Sequence, residues 1–184
     1  MSRLRSVVPA SELSVFGADE QHDLPIDVAR WVRLAQLVLE RERVDQRFGP
    51  ASEMSLIFVD ETTIADLNER FLGATGPTDV LSFPMEEEVP LGGRQPDQGG
   101  RGPGSPTEPG EPPTLLGDVV VCPVVADRQA RERSTPLDDE LALLVVHGVL
   151  HLLDYDHAEP EEAIAMRRRE QELLEQFRDA EGKG

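Results

Sequence analysis

Residues 140–162 read Glu140-Leu-Ala-Leu-Leu-Val-Val-His147-Gly-Val-Leu-His151-Leu-Leu-Asp154-Tyr-Asp156-His157-Ala-Glu-Pro-Glu-Glu162, and this stretch decides how the chain is read. Three of the four histidines lie inside it. His147 and His151 are four apart, so on a helix they share one face, one turn above the other. Imidazoles at that spacing can both reach one metal ion, at about 2.0–2.1 Å from each ring nitrogen. His157 lies six residues beyond His151, where a continuing helix would carry it past the site. The helix must therefore stop and the chain must turn back. Asp154 tolerates a left-handed backbone and Asp156 favours turns, which permits the reversal. A single histidine on an apolar helix is usually a core or surface residue with a satisfied hydrogen bond. Three within eleven residues point instead to a metal site with ligands His147, His151 and His157.

The apolar density of Leu137–Leu153 predicts a central, largely buried helix. On its amino-terminal side, Leu115–Cys122 reads as a strand with one charge, Asp118, and Val124–Arg133 as a helix with Pro123 in its first turn. Thr135 is the expected N-cap before Pro136. On its carboxyl side, Glu159-Pro-Glu-Glu162 starts a last helix with acids at its positive end. Its expected core face is Ala163, Met166, Leu173, Leu174 and Phe177. Arg167, Arg168 and Arg169 read as a solvated face.

Earlier in the chain, Met1–Ser11 lacks periodicity and reads as a frayed extension. Leu13–Phe16 is a short strand candidate, and His22 falls in the polar turn after it. Ile26–Arg43 reads as a helix with an apolar stripe of Ile26, Ala29, Val32, Ala35 and Leu39, joined by Trp31 and Val38. Met54–Val59 fits a buried strand, and Asp60 the N-cap of a helix carrying Ile64, Leu67 and Phe71. Asp79–Phe83 is a further strand candidate. Residues 86–114 are dense in proline, glycine and acids, and cannot bury enough surface to offset their ordering entropy. They read as a flexible insertion between two strands, a tolerated surface loop rather than a lid. Strands and helices alternate irregularly, so the fold class is α+β.

The 184 residues read as one domain with a real core. No apolar run reaches bilayer length, and no apolar stretch follows Arg3 and Arg5 to make a signal peptide. The single cysteine, Cys122, excludes an internal disulfide and reads as a buried small hydrophobe. Together these features point to a cytoplasmic location. The formal net charge of −18 resists non-specific binding to polyanions. Any nucleic-acid binding needs local positive charge, from a divalent metal and a few arginines in a cleft.

The segment His147-Gly-Val-Leu-His-Leu-Leu-Asp-Tyr-Asp-His157 resembles the signature of the YbeY family of bacterial endoribonucleases, His-Gly-x-Leu-His-Leu-x-Gly-Tyr-Asp-His. It departs at Asp154, where the family has glycine. Gly76-Pro-Thr-Asp-Val-Leu-Ser-Phe-Pro84 and Leu116-Gly-Asp-Val-Val-Val-Cys122 match two further blocks of that family in its order. The resemblance spans roughly residues 12–178. It implies a small mixed sheet of about four strands packed against helices, with a zincin-like metal-binding helix. It implies one Zn²⁺ ion as cofactor, although imidazole suits zinc, copper, iron and nickel alike. It also implies a single-strand-specific, metal-dependent endoribonuclease that matures the 3′ end of small-subunit ribosomal RNA and serves ribosome quality control. The implied partners are ribosomal RNA, the small ribosomal subunit, and a ribosomal protein or GTPase, with neither membrane nor DNA.

The three-histidine segment also resembles zinc peptidases with the pattern His-Glu-x-x-His-x-x-Gly-x-x-His. Those place a glutamate base after the first histidine; here the residue is Gly148, which cannot take a proton. Two other readings stay open at this level: a zinc metallopeptidase-like hydrolase, and a non-enzymatic ribosome-associated factor whose metal is structural. Three histidines leave a coordination position open, as in catalytic zinc sites. Phosphodiester cleavage also needs a cation at the developing charge. The family's arginine before the Pro-Thr-Asp block falls here at Leu72, and Arg70, two residues earlier, is the nearest candidate for a catalytic role.

Overall fold

The computed structural model describes residues 12–49, 51–85, 113–155 and 159–182. Within these lie four strands and six helices: β1 (Glu12–Asp19), α1 (Val28–Arg41), α2 (Val44–Arg47), β2 (Ala51–Phe58), α3 (Glu61–Leu72), β3 (Val80–Pro84), β4 (Thr114–Val121), α4 (Pro123–Arg133), α5 (Leu137–Leu152) and α6 (Pro160–Glu181). The expected extension at 1–11 and nearly all of the expected insertion, 86–112, lie outside the described residues, as does His157.

The strands form one mixed sheet in the order β1-β2-β4-β3. β1 and β4 run parallel to β2, and β3 runs antiparallel to β4. The pattern of β2 explains its central place. Ser52, Met54, Leu56 and Phe58 are buried on one face, and the intervening residues are half-buried on the other. That first face joins Val119 and Val121 of β4 and packs against α1 and α5. The opposite face carries a smaller cluster of Val59, Ile64, Leu81, Val120, Cys122 and Val125, which seats α3.

The local rules of the sequence account for most boundaries. Asp60 caps α3 by accepting from the Thr63 amide at 2.7 Å, and Gly73 ends the helix in the left-handed region. Pro123 opens α4 at a position where its missing N–H costs nothing. Other expectations are corrected. Thr135 is not the N-cap of α5: that position is Pro136, and the Thr135 hydroxyl donates to the Ala130 carbonyl at the end of α4. Ala29 is exposed; of the expected stripe α1 buries Trp31, Ala35, Val38 and Leu39, and it adds Leu34. Phe71 is also exposed; its ring sits edge-on to Phe83 at 5.1 Å. The expected helix 26–43 ends at Arg41, and Arg43, at φ 54°, starts the separate turn α2.

α5 lies at the centre, touching α1, α4, α6, β3 and β4. It approaches the sheet closely at Gly148. A Cβ there would stand 2.6 Å from Val119 Cγ1 and 3.2 Å from Val80 Cγ2. The Ser82 hydroxyl uses the proximity to donate to the Gly148 carbonyl at 2.9 Å. A side chain at 148 must displace branched residues of two strands. Gly148→Ala is therefore expected to lower stability by about 1–3 kcal/mol through overpacking. Urea unfolding measures it; an unchanged midpoint would show that the helix and sheet do not press together here.

Candidate metal centre

The contact at Gly148 sets the rotation of α5. With residue 148 toward the sheet, positions 147 and 151 turn to one flank of the helix, because each residue advances about 100°. The His147 and His151 rings stand there with centroids 4.5 Å apart and planes at 74°. Both side chains are half-buried. α6 packs beside this flank and brings up Glu170, which is buried. The Nδ1–H of His147 donates to Glu170 Oε1 at 2.7 Å.

That hydrogen bond makes a metal fit the site. A carboxylate behind one ring nitrogen fixes the tautomer and orientation of the imidazole and raises the basicity of the other nitrogen. With Nδ1 held by Glu170, a metal at His147 would be bound through Nε2. Sequence reasoning missed Glu170, although a signal was there. Met166, Glu170, Leu173 and Phe177 follow one helical face, and all four are buried. A carboxylate on an otherwise apolar face needs a partner.

The turn after α5 follows the expectation at Asp154, whose φ is 65°. The Asp154 amide donates to the His151 carbonyl at 3.1 Å, and the Tyr155 amide to the Leu150 carbonyl at 3.0 Å. This pair of bonds is the Schellman arrangement, which closes a helix and reverses the chain. The turn is clamped from outside. Arg47 donates through Nη1 to the Leu153 carbonyl at 2.7 Å and through Nη2 to Asp154 Oδ2 at 2.6 Å. The Tyr155 hydroxyl donates to Glu42 Oε2 at 2.6 Å, and Arg169 Nε donates to Glu42 Oε1 at 2.6 Å. Burial and the Glu42 hydrogen bond push the Tyr155 pKa up to about 12, so its hydroxyl stays a donor. Arg169 is thus a structural tie between α6 and α1, a correction to its expected solvated role.

His151 and His147 are brought together; His157 is outside the described residues, and no group of three metal-binding side chains occurs among the described ones. Arg70 is exposed on α3, with its guanidinium 5.9 Å above the Phe71 ring. It is not among the residues lining the cleft beside His147. That cleft, of about 270 Å³, is walled by His147, Ala163, Met166, Arg167 and Glu170. His22 is exposed in its turn.

Two outcomes follow from this geometry. Glu170→Ala is expected to weaken zinc binding by about 10–100-fold in chelator competition, with Glu170→Gln less affected because its amide oxygen still accepts from Nδ1. Equal affinity in wild type and Glu170→Ala would show that the carboxylate does not orient a ligand. Asp154→Gly removes an exposed ion pair, worth about 0–1 kcal/mol, and relieves a left-handed backbone at a non-glycine residue. The two effects oppose, so the melting temperature should stay the same or rise slightly, with metal content unchanged. A large drop would mean that the Arg47 contact holds the turn.

Comparison with known proteins agrees with this architecture. A family model described as Endoribonuclease YbeY matches residues 17–178. A Thermobifida fusca protein named Endoribonuclease YbeY is 45% identical over 155 residues, covering 84% of this chain and 88% of the relative. A Rhodococcus jostii protein of the same name is 49% identical over 146 residues, covering 79% of this chain and 72% of its own. The fold is similar to the solution structure of a Thermotoga maritima protein, with TM-score 0.53 and 23% identity over 92% of this chain and 95% of that one. On the family match and these identities, the chain belongs to the YbeY endoribonuclease family.

Proposed function

We propose that this chain is a metal-dependent endoribonuclease that cuts single-stranded RNA in the maturation of ribosomal RNA, with one zinc ion held by His147, His151 and His157. The observation that carries the metal-site reading is the pair of imidazoles on one flank of α5 with Glu170 hydrogen-bonded behind His147. Family membership selects RNA as the substrate. When bound, a zinc ion supplies Lewis acidity at a phosphoryl oxygen and a nucleophile at neutral pH. The protein's own part is positional. Glu170 keeps the His147 proton on Nδ1. The turn at Asp154 carries the chain back from the end of α5, with Arg47, Glu42 and Tyr155 fixing its course.

Position 148 also bears on the choice between RNA and peptide bonds. It faces Val119 and Val80 in the sheet, so even a longer side chain there would meet β-strand atoms first. The glutamate base of the zinc peptidases has no counterpart at this point. The charge balance makes a further demand. With Asp+Glu 36 against Lys+Arg 18, RNA is repelled at long range, so a basic ribosomal protein that presents the strand would favour encounter.

The test compares wild-type protein and His147→Ala on pre-ribosomal particles and on a single-stranded RNA, with casein as a peptidase control. Wild type should cleave RNA and leave casein intact, while His147→Ala loses at least a hundredfold in rate. Casein cleavage without RNA cleavage would overturn the reading. Equal RNA cleavage by both proteins would remove the histidine site from the chemistry.

A further inference from the structure

α6 carries a second group into the cleft beside His147. Ala163, Met166, Arg167 and Glu170 follow one another at helical spacing and share the wall that faces α5. Arg167 stands one turn before Glu170, the residue bonded to His147. Its Nε donates to the Ala163 carbonyl at 3.1 Å, which holds the stem of the side chain along its own helix.

The surroundings of the α6 arginines separate Arg167 from the others. Arg168 pairs with Glu172, Arg169 with Glu42 and Glu172, and Arg178 with Asp139. Among the described residues, the guanidinium of Arg167 pairs with no carboxylate, although acids outnumber bases two to one in this chain. The one acid lining the cleft among the described residues, Glu170, is engaged by His147, so the Arg167 guanidinium is suited to an anion that is not part of the described protein. The planar guanidinium offers paired N–H donors matched to two phosphate oxygens.

We propose that Arg167 receives the scissile phosphate of the RNA, donating through its terminal nitrogens to the non-bridging oxygens beside the His147 site. The proposal rests on the endoribonuclease reading. It assigns to α6 the cation that the sequence resemblance sought at Arg70 on α3. The two helices pack differently: the buried Ile64 of α3 joins the cluster on the sheet face away from α5.

The test uses the full-length, zinc-loaded protein, with Arg167→Ala, Arg167→Lys, Arg70→Ala and, as a neighbouring control, Arg168→Ala. Single-turnover cleavage of a single-stranded RNA is measured beside the salt dependence of its binding, read by stopped-flow anisotropy before cleavage occurs. Arg167→Ala should lose roughly 10–100-fold in cleavage rate, and its log–log salt slope should fall by about 0.7, one phosphate contact on a single strand. Arg167→Lys should recover the salt slope but only part of the rate, because an ammonium is a point charge without the planar fork. Zinc content and urea midpoint should match wild type in each variant, which separates a substrate contact from a structural one. Cleavage by Arg167→Ala within twofold of wild type, with an unchanged slope, would overturn the proposal. So would loss of activity in Arg70→Ala with Arg167→Ala intact. If wild type fails to cut RNA at all, the endoribonuclease reading falls first and takes this assignment with it; the two failures are distinct in the data.

Discussion

The absence of a side chain at Gly148 is the constraint on which the site depends. It lets α5 settle until backbone meets strand side chains, close enough for Ser82 to donate to the Gly148 carbonyl. That contact fixes which face of the helix meets the sheet. His147 and His151 are then set to the flank where α6 runs, and a carboxylate one helix away can meet an imidazole nitrogen at 2.7 Å. A packing requirement inside the core is thus converted into the direction of two rings.

The same logic extends around the centre. Glu42 at the end of α1 accepts from both Tyr155 and Arg169, which ties the turn after α5 and the body of α6 to one carboxylate. Arg47 reaches the turn from α2. The Arg47–Asp154 pair is exposed and worth little for stability. The value of these contacts is geometric: three segments distant in sequence are held in one register around the histidines. In such a site the supporting residues set the alignment of the ligands as much as the ligands themselves.

The residues differ in how far the sequence disclosed them. Strand β2 and helix α5 were legible because their burial follows period and apolar density, and Asp60, Pro123 and Asp154 because each obeys a backbone rule that acts locally. Ala29 and Phe71 kept helical spacing but face solvent, since spacing does not say which side of a helix meets the sheet. Thr135 is a good capping residue that the next helix does not use; its hydroxyl closes the preceding helix instead. The functional residues Glu170 and Arg167 depend on how α6 is laid against α5, a relation between helices that no short-range pattern encodes. Arg169 was hidden for the same reason, its partner Glu42 lying 127 residues away.

The central claim is that α5 presents two imidazoles to one metal, with the Nδ1 proton of His147 retained by Glu170. A long-range proton–nitrogen correlation spectrum of the histidine rings, recorded as zinc is added to the protein, tests it most directly. At one equivalent, His147, His151 and His157 should shift together while His22 stays unchanged. His147 should coordinate through Nε2 and keep a protonated Nδ1, and that Nδ1 signal should move in Glu170→Gln. Coordination of His147 through Nδ1, or a spectrum in which His147 and His151 do not respond to the same equivalent of zinc, would contradict the account.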